Sequence, residues 1–286
     1  MPEFAIDGFT LGLILFAALL HAIWNALAKA SGDPLVNLAV VTTTGGVASI
    51  PIILMFPFPN SETWVWLSFS AVIHFVYQLG LARMYRLGEL SQVYPIARGL
   101  APLGVAVLGA GFAGETLALH QTVGLVLSGG AIVLLGRSGD GLVATRQAVT
   151  TAVGVALLVG LYTYSDGRGV RSVETPLHYI SWSFLLGCVP FLLYTIAVRG
   201  RGGLIALRQD GLRAMGGGLM ATVGYGIALW AMARTPMALV SSLRESSVLF
   251  AALIGAFVLG DGFGRSRVVA AALLVVGLIL VQLRGS

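Results

Sequence analysis

The chain has 286 residues, 57% hydrophobic and only 10% charged, and its mean hydropathy is +0.91; a soluble globular domain needs more charged surface than this. The net charge of +5 and the pI near 9.7 do not mark a nucleic-acid binder, because the arginines stand between apolar runs and form no continuous basic face. One cysteine, Cys188, lies inside an apolar run, which excludes an intramolecular disulfide framework and a cysteine metal cluster.

Apolar runs of bilayer-spanning length, about 20 residues, recur from end to end, so the expected fold is an all-α polytopic membrane protein. A membrane barrel would show shorter alternating segments. The opening "MPEFAID" is acidic and lacks the positive region and cleavage site of a signal peptide, so the first run, 8–29, is expected to be a retained helix. Further spans are expected at 36–56, 64–86, 91–112, 117–136, 147–167, 176–198, 211–233, 237–259 and 265–284, ten in all. Turn chemistry or charge separates them, as in "KASGDP", "FPFPNSE", "RLGE", "GRSGDG" and "RGRGG". The connections are short and hold no soluble domain.

Eleven Lys and Arg follow odd-numbered spans (Lys29, Arg83, Arg86, Arg137, Arg146, Arg199, Arg201, Arg208, Arg213, Arg265 and Arg267), against four on the other side: Arg168, Arg171, Arg234 and Arg284. Positive charge accumulates on the cytoplasmic side, which predicts an inner-membrane protein with both termini outside.

A shift of 146 residues aligns Gly80 with Gly226, Arg98 with Arg244, Leu103 with Leu249, Gly109 with Gly255, Gly114 with Gly260 and Glu115 with Asp261. The chain thus reads as two five-span repeats, 1–138 and 139–286. Five is odd, so the second repeat enters the membrane upside down relative to the first. Inverted repeats surrounding a central cavity are the architecture of alternating-access transporters, with the site at the repeat interface near mid-membrane.

Polar residues recur at helical spacing inside the spans, on one face of each helix. The first span carries His21, Trp24 and Asn25, the third His74, Tyr77 and Gln78, the fourth Tyr94 and Arg98, the sixth Tyr162, Ser165 and Asp166, and the ninth Ser241, Arg244 and Glu245. Intramembrane ionisable groups face a bundle interior or a watery cavity. His21 also reads as an interhelical hydrogen-bonding group, and Trp24 as a packing aromatic. Asp166 also reads as a helix-end residue beside Arg168. Lys29, Arg83 and Arg86 read as interfacial anchors, Trp182 and Trp230 as packing or belt aromatics, and Gly216, Gly217 and Gly218 as permitting close helix contact.

Arg98 and Arg244 each lie about eight residues into their spans, roughly 12 Å deep at 1.5 Å per residue, and enter from opposite faces. Glu245 follows Arg244 directly, so the two diverge by about 100° on one helix and pair poorly with each other. A pair across the repeats, Glu245 with Arg98, is geometrically better. It reads either as a structural lock or as an ionic centre that changes partner. Glu245, Asp166, His74 and His21 are the groups able to carry a coupling proton; a facilitator needs none of them. Four dispersed histidines offer no metal-ligand spacing, and no phosphate loop or nucleophile elbow is present, so no metal, cofactor or enzymatic activity is expected.

"HAIWNALAK" (His21–Lys29), "YPIARGLAPL" (Tyr94–Leu103) with "GET" (Gly114–Thr116), "YTYSDGRGVR" (Tyr162–Arg171) and "SSLRESSVLFAALIGAFVLGD" (Ser241–Asp261) resemble the ten-helix drug/metabolite transporter superfamily, in particular its prokaryotic EamA-type members. The resemblance covers essentially the whole chain. The family usually carries an acid followed by proline in its ninth helix and a final Glu; here Ser246 follows Glu245 and Asp261 is the final acid. The resemblance implies a secondary transporter, often an exporter of amino acids or other small metabolites, able to work as a monomer in the bilayer. Aromatics beside an Arg/Glu centre suit a zwitterion with an apolar part. Efflux of lipophilic cations is the alternative within transport, and a membrane-embedded lipid-modifying enzyme the alternative outside it.

Overall fold

The computed structural model describes residues 6–29, 33–87, 90–137, 145–258 and 265–283. All their regular structure is helical: α1 (Gly8–Lys29), α2 (Pro34–Ile53), α3 (Ser61–Leu87), α4 (Leu90–Phe112), α5 (Leu119–Arg137), α6 (Arg146–Val170), α7 (Pro176–Met232), α8 (Met237–Arg244), α9 (Ser247–Val258) and α10 (Arg265–Gln282). Among the described residues, seven segments are long and apolar enough to cross a bilayer: 8–25, 35–53, 61–84, 93–112, 146–170, 176–200 and 211–232. The shorter apolar helices include 119–134 and 268–282. Outward-facing apolar side chains such as Val65, Val72, Leu157, Leu193 and Ile279 belong to a chain whose solvent is lipid rather than water. The protein is a multi-pass membrane protein.

The expected seventh and eighth spans are the two helices that α7 joins across a kink at Gly200, where φ is 47° and ψ −130°, with crossing segments 176–200 and 211–232. One difference from the sequence expectation concerns helix continuity. The expected ninth span is broken into α8 and α9. At the break Glu245 N–H bonds the Ser242 carbonyl and Ser246 N–H bonds the Leu243 carbonyl. These are three-residue spacings, a tightened turn in place of the α-helical ladder. No proline is needed for this break: Ser246 stands where the resembling family has one.

The first and last described segments meet on one face, called here the terminal face: Gln282 donates to the Ile6 carbonyl at 2.9 Å. An even number of crossings puts them there. On the same face Trp182 packs against Phe58 and Trp64, and Trp230 lies under the Arg234 guanidinium, as interfacial aromatics do. Arg83 and Arg86 are exposed at the opposite end of α3, consistent with anchoring; the Lys29 side chain and Asp261 lie outside the described residues. Of the three successive glycines, Gly218 makes the close contact: a Cβ there would come within 2.8 Å of the Val41 carbonyl on α2. Gly217 faces Trp24 and Gly216 faces open space.

On the opposite face, Asp33 caps α2, accepting from Leu35 N–H at 3.0 Å and Val36 N–H at 3.4 Å. It also accepts from Arg199 Nε at 2.7 Å, joining the α1–α2 connection to α7. Partial burial pushes the Asp33 carboxyl up, but Arg199 and the two amides outweigh it and hold it below its ordinary 3.8. The stabilisation is therefore complete at neutral pH and is lost only as pH falls from 3.8 through the lower folded value. Asp33→Ala is expected to cost about 1 kcal/mol through the lost cap. Asp33→Asn, which keeps an acceptor and loses only the exposed ion pair, should cost less than about 0.5 kcal/mol. Thermal unfolding in detergent compares the two.

Candidate functional site

A cavity of about 160 Å³ lies between α1, α2, α3, α6, α7 and α8. Six of the residues expected from sequence line it: His21, Trp24, His74, Tyr77, Gln78 and Arg244. The rest of the expected set surrounds this shell without lining it. Tyr94 bonds His21 Nε2 at 3.1 Å, and Trp24 Nε1 donates to His21 Nδ1 at 3.2 Å. Asn25 turns back to the His21 carbonyl at 2.7 Å within its own helix. Ser241 is buried in the packing of α8. Arg98, Glu245 and Asp166 stand behind the wall, in two buried charged clusters.

The first cluster spans the repeats. Arg98 Nη2 lies 2.7 Å from Glu245 Oε1, and Nε donates to Oε2 at 3.1 Å, a bidentate pair whose side chains are 7% and 3% exposed. Arg98 reaches it from α4, which carries Pro95 and Pro102 on either side of it; Pro102 removes the amide that would bond the Arg98 carbonyl. Glu245 reaches it from the break between α8 and α9. The register mate of Glu245 is Gly99, and a Cβ at Gly99 would sit 2.7 Å from the Gly129 carbonyl of α5. Close packing of α4 on α5 thus leaves no room for a second acid, and the two repeats contribute two arginines and one glutamate.

The second cluster sits toward the terminal face. Asp166 is fully buried. Its Oδ1 accepts from Ser70 Oγ at 2.5 Å and Tyr179 OH at 2.8 Å. Its Oδ2 accepts from Tyr225 OH at 2.6 Å and meets His74 Nε2 at 3.0 Å. The α6 helix continues to Val170, so Asp166 points into the bundle and is not the helix-end residue that the neighbouring Arg168 also allowed. Arg168 instead donates to the Phe112 carbonyl and lies over Trp66.

Nearer the terminal face another ionic contact joins the halves. After α4, Gly114 takes a left-handed φ of 66°, and the turn returns Glu115 N–H to the Gly109 carbonyl at 3.0 Å. The Glu115 carboxylate then accepts from Met237 N–H at 2.9 Å and pairs with Arg171 Nη2 at 2.7 Å. It supplies the α8 N-terminus with the acceptor that Pro236, at the N-cap, has no side chain to provide. Arg171 also holds the Met232 and Thr235 carbonyls. The repeated "G…GE" signature is, in the first half, a turn plus a carboxylate that clamps the second half; its mate at Asp261 lies outside the described residues.

Arg244 differs from Arg98. It is 7% exposed, lines the cavity and stands 5.1 Å from the Tyr225 ring centre, yet its Nε has no hydrogen-bond partner. No carboxylate among the described residues lies within ion-pair distance. Tyr225, Tyr162, Thr42, Thr222, Ser183 and Phe184 complete much of the lining without having been named as cavity residues from sequence. Tyr162 was legible as part of the sixth-span stripe; Tyr225 stands among glycines and aliphatics, and only its contacts reveal it.

The EamA-like transporter family matches the chain over residues 8–137 and again over 146–283, the same two halves that the internal register divides. A solved crystal structure with 20% sequence identity superposes with a TM-score of 0.72, covering 96% of this chain and 98% of its own; at that identity it speaks to the fold alone. No curated protein matches the chain.

Removing one partner of a buried ion pair strands the other charge, at a cost of about 3–5 kcal/mol. Glu245→Leu and Arg98→Met are each expected to lower the unfolding midpoint strongly, while the double variant Arg98→Met/Glu245→Leu recovers most of the loss. A double-mutant cycle from detergent unfolding curves measures this coupling; additive losses would mean the pair contributes nothing jointly.

Proposed function

The chain belongs to the EamA-like transporter family, a family of small-molecule transporters, and from that premise we propose that it exports carboxylate-bearing metabolites, amino acids foremost. In this reading it works at the inner membrane by alternating access of the halves 1–138 and 139–286, with both termini outside. The observation that carries the reading is Arg244 in the cavity wall, whose Nε has no hydrogen-bond partner and which makes no ion pair among the described residues. A buried cation without a counter-charge is costly, and a substrate carboxylate is the group that completes it. A guanidinium matches a carboxylate in planar, two-point geometry.

The rest of the wall supports the choice. Glu245 is taken by Arg98 and Asp166 by four polar partners, so among the described residues the cavity offers a lipophilic cation no free carboxylate. Aromatic and aliphatic surfaces from Trp24, Tyr162, Phe184 and Leu38 accept an apolar side chain. On the terminal side, the Glu115–Arg171 clamp and the Asp166 cluster close the cavity in two layers, a state that loads from the opposite face. With eleven of the flanking cations on that face, loading there is loading from the cytoplasm, and export follows.

Radiolabelled amino-acid exchange in liposomes holding the purified protein tests the proposal. Exchange is expected for apolar amino acids, and Arg244→Gln is expected to raise their KM about 10- to 100-fold, the value of a charge-assisted hydrogen-bond pair. Absence of exchange across a broad amino-acid panel would refute it.

A further inference from the structure

A zwitterion brings a second charge into the cavity, and its ammonium must meet an acceptor. The two acids nearest the cavity are occupied, as described above. Two other groups are not. Gln78 lines the cavity, is 6% exposed, and its Oε1 has no hydrogen-bond partner. His74 lies one helical turn before it, on the same face of α3.

The imidazole of His74 is held by a defined set of groups. From α6, Tyr162 stacks on it at 4.2 Å between ring centres and Asp166 takes its Nε2. From α7, Tyr225 meets it edge-on at 5.9 Å; from α3 itself, Tyr77 does so at 6.4 Å. Arg244 of α8 lies beyond Tyr225, and His21 of α1 stands elsewhere in the cavity wall. The hydroxyls of Ser70, Tyr179 and Tyr225 all donate to Asp166, so the carboxylate is an acceptor and His74 Nε2 carries the hydrogen between them. In the neutral ring the lone pair is therefore on Nδ1, which has no hydrogen-bond partner among the described residues, and the side chain is 20% exposed.

We propose that His74 Nδ1 and Gln78 Oε1 form an ammonium subsite, and that His74 holds either a proton or the substrate's amine, never both. The neutral imidazole accepts an N–H from the ammonium. The imidazolium has no lone pair to offer and repels it. An amino acid entering with its carboxylate on Arg244 thus drives the Nδ1 proton into cavity water, and a proton arriving at Nδ1 drives the amino acid out. Mutually exclusive binding at one group couples the two ligands, each weakening the other by the same factor. The subsite rests on the carboxylate reading of Arg244 and narrows it: the substrate carries both a carboxylate and an amine, and one proton moves the other way.

The test uses the purified full chain in weakly buffered detergent with a pH-indicator dye, and two probes: L-phenylalanine and 3-phenylpropionate, the same molecule without its ammonium. At a pH low enough to protonate Nδ1, L-phenylalanine is expected to release about one proton per protein, and at a pH that leaves the ring neutral, none. Its affinity should weaken about tenfold per pH unit on the acid side. Binding of 3-phenylpropionate should release no proton, a contrast that needs no substitution. His74→Gln should abolish the release. L-Phenylalanine binding with pH-independent affinity, or proton release that survives in His74→Gln, would overturn the subsite while leaving the Arg244 reading intact; failure to bind either probe would overturn both.

Discussion

The Arg98–Glu245 pair governs the electrostatics of this bundle. Two arginines enter from opposite faces, one from each repeat, and a single glutamate stands between them. By binding Arg98 in two-point geometry, Glu245 satisfies that cation and leaves Arg244 in the wall without a salt bridge among the described residues, its Nε unbonded. The break between α8 and α9 serves the same arrangement. A continuous helix would set consecutive side chains about 100° apart; the tightened turn at Glu245 and Ser246 presents Glu245 to α4 and Arg244 to the cavity.

The asymmetry of that centre has a packing origin. The repeats place Gly99 where the second half has Glu245, and α5 lies so close to Gly99 that no side chain fits. Pseudo-symmetry therefore supplies the scaffold, and one local contact makes the site polar in a particular direction. Asp166 adds a second asymmetry. Its four polar partners come from α3 and α7, so the roof of the cavity is tied to both halves, as is the Glu115 clamp above it. Such contacts are discrete, made or unmade, which is what the alternating access proposed above needs.

Much of this was legible in the sequence because charges inside a bilayer have few solutions. The depth of Arg98 and Arg244, their shared register and the poor geometry of Arg244 with its own neighbour Glu245 pointed to a pair across the repeats. The broken ninth span was not legible: neither proline nor glycine falls within 237–254, and Ser246 carries no breaking signal. Asp166 stood between two readings, since Arg168 beside it suggested a helix end. Only the hydroxyls of Ser70, Tyr179 and Tyr225, distant in sequence, decide its burial. Tyr225 was missed because a single aromatic in a glycine-rich span resembles packing. Asn25 matched the helical stripe yet satisfies itself on its own backbone, a local bond that spacing does not reveal.

The account stands or falls on the division of labour between the two arginines. The direct measurement is a structure of the protein in lipid nanodiscs with a saturating apolar amino acid, at a resolution that separates carboxylate from amine. The account predicts the substrate carboxylate on the Arg244 guanidinium with the Arg98–Glu245 pair intact. A carboxylate seated on Arg98, with Glu245 displaced from it, would contradict it.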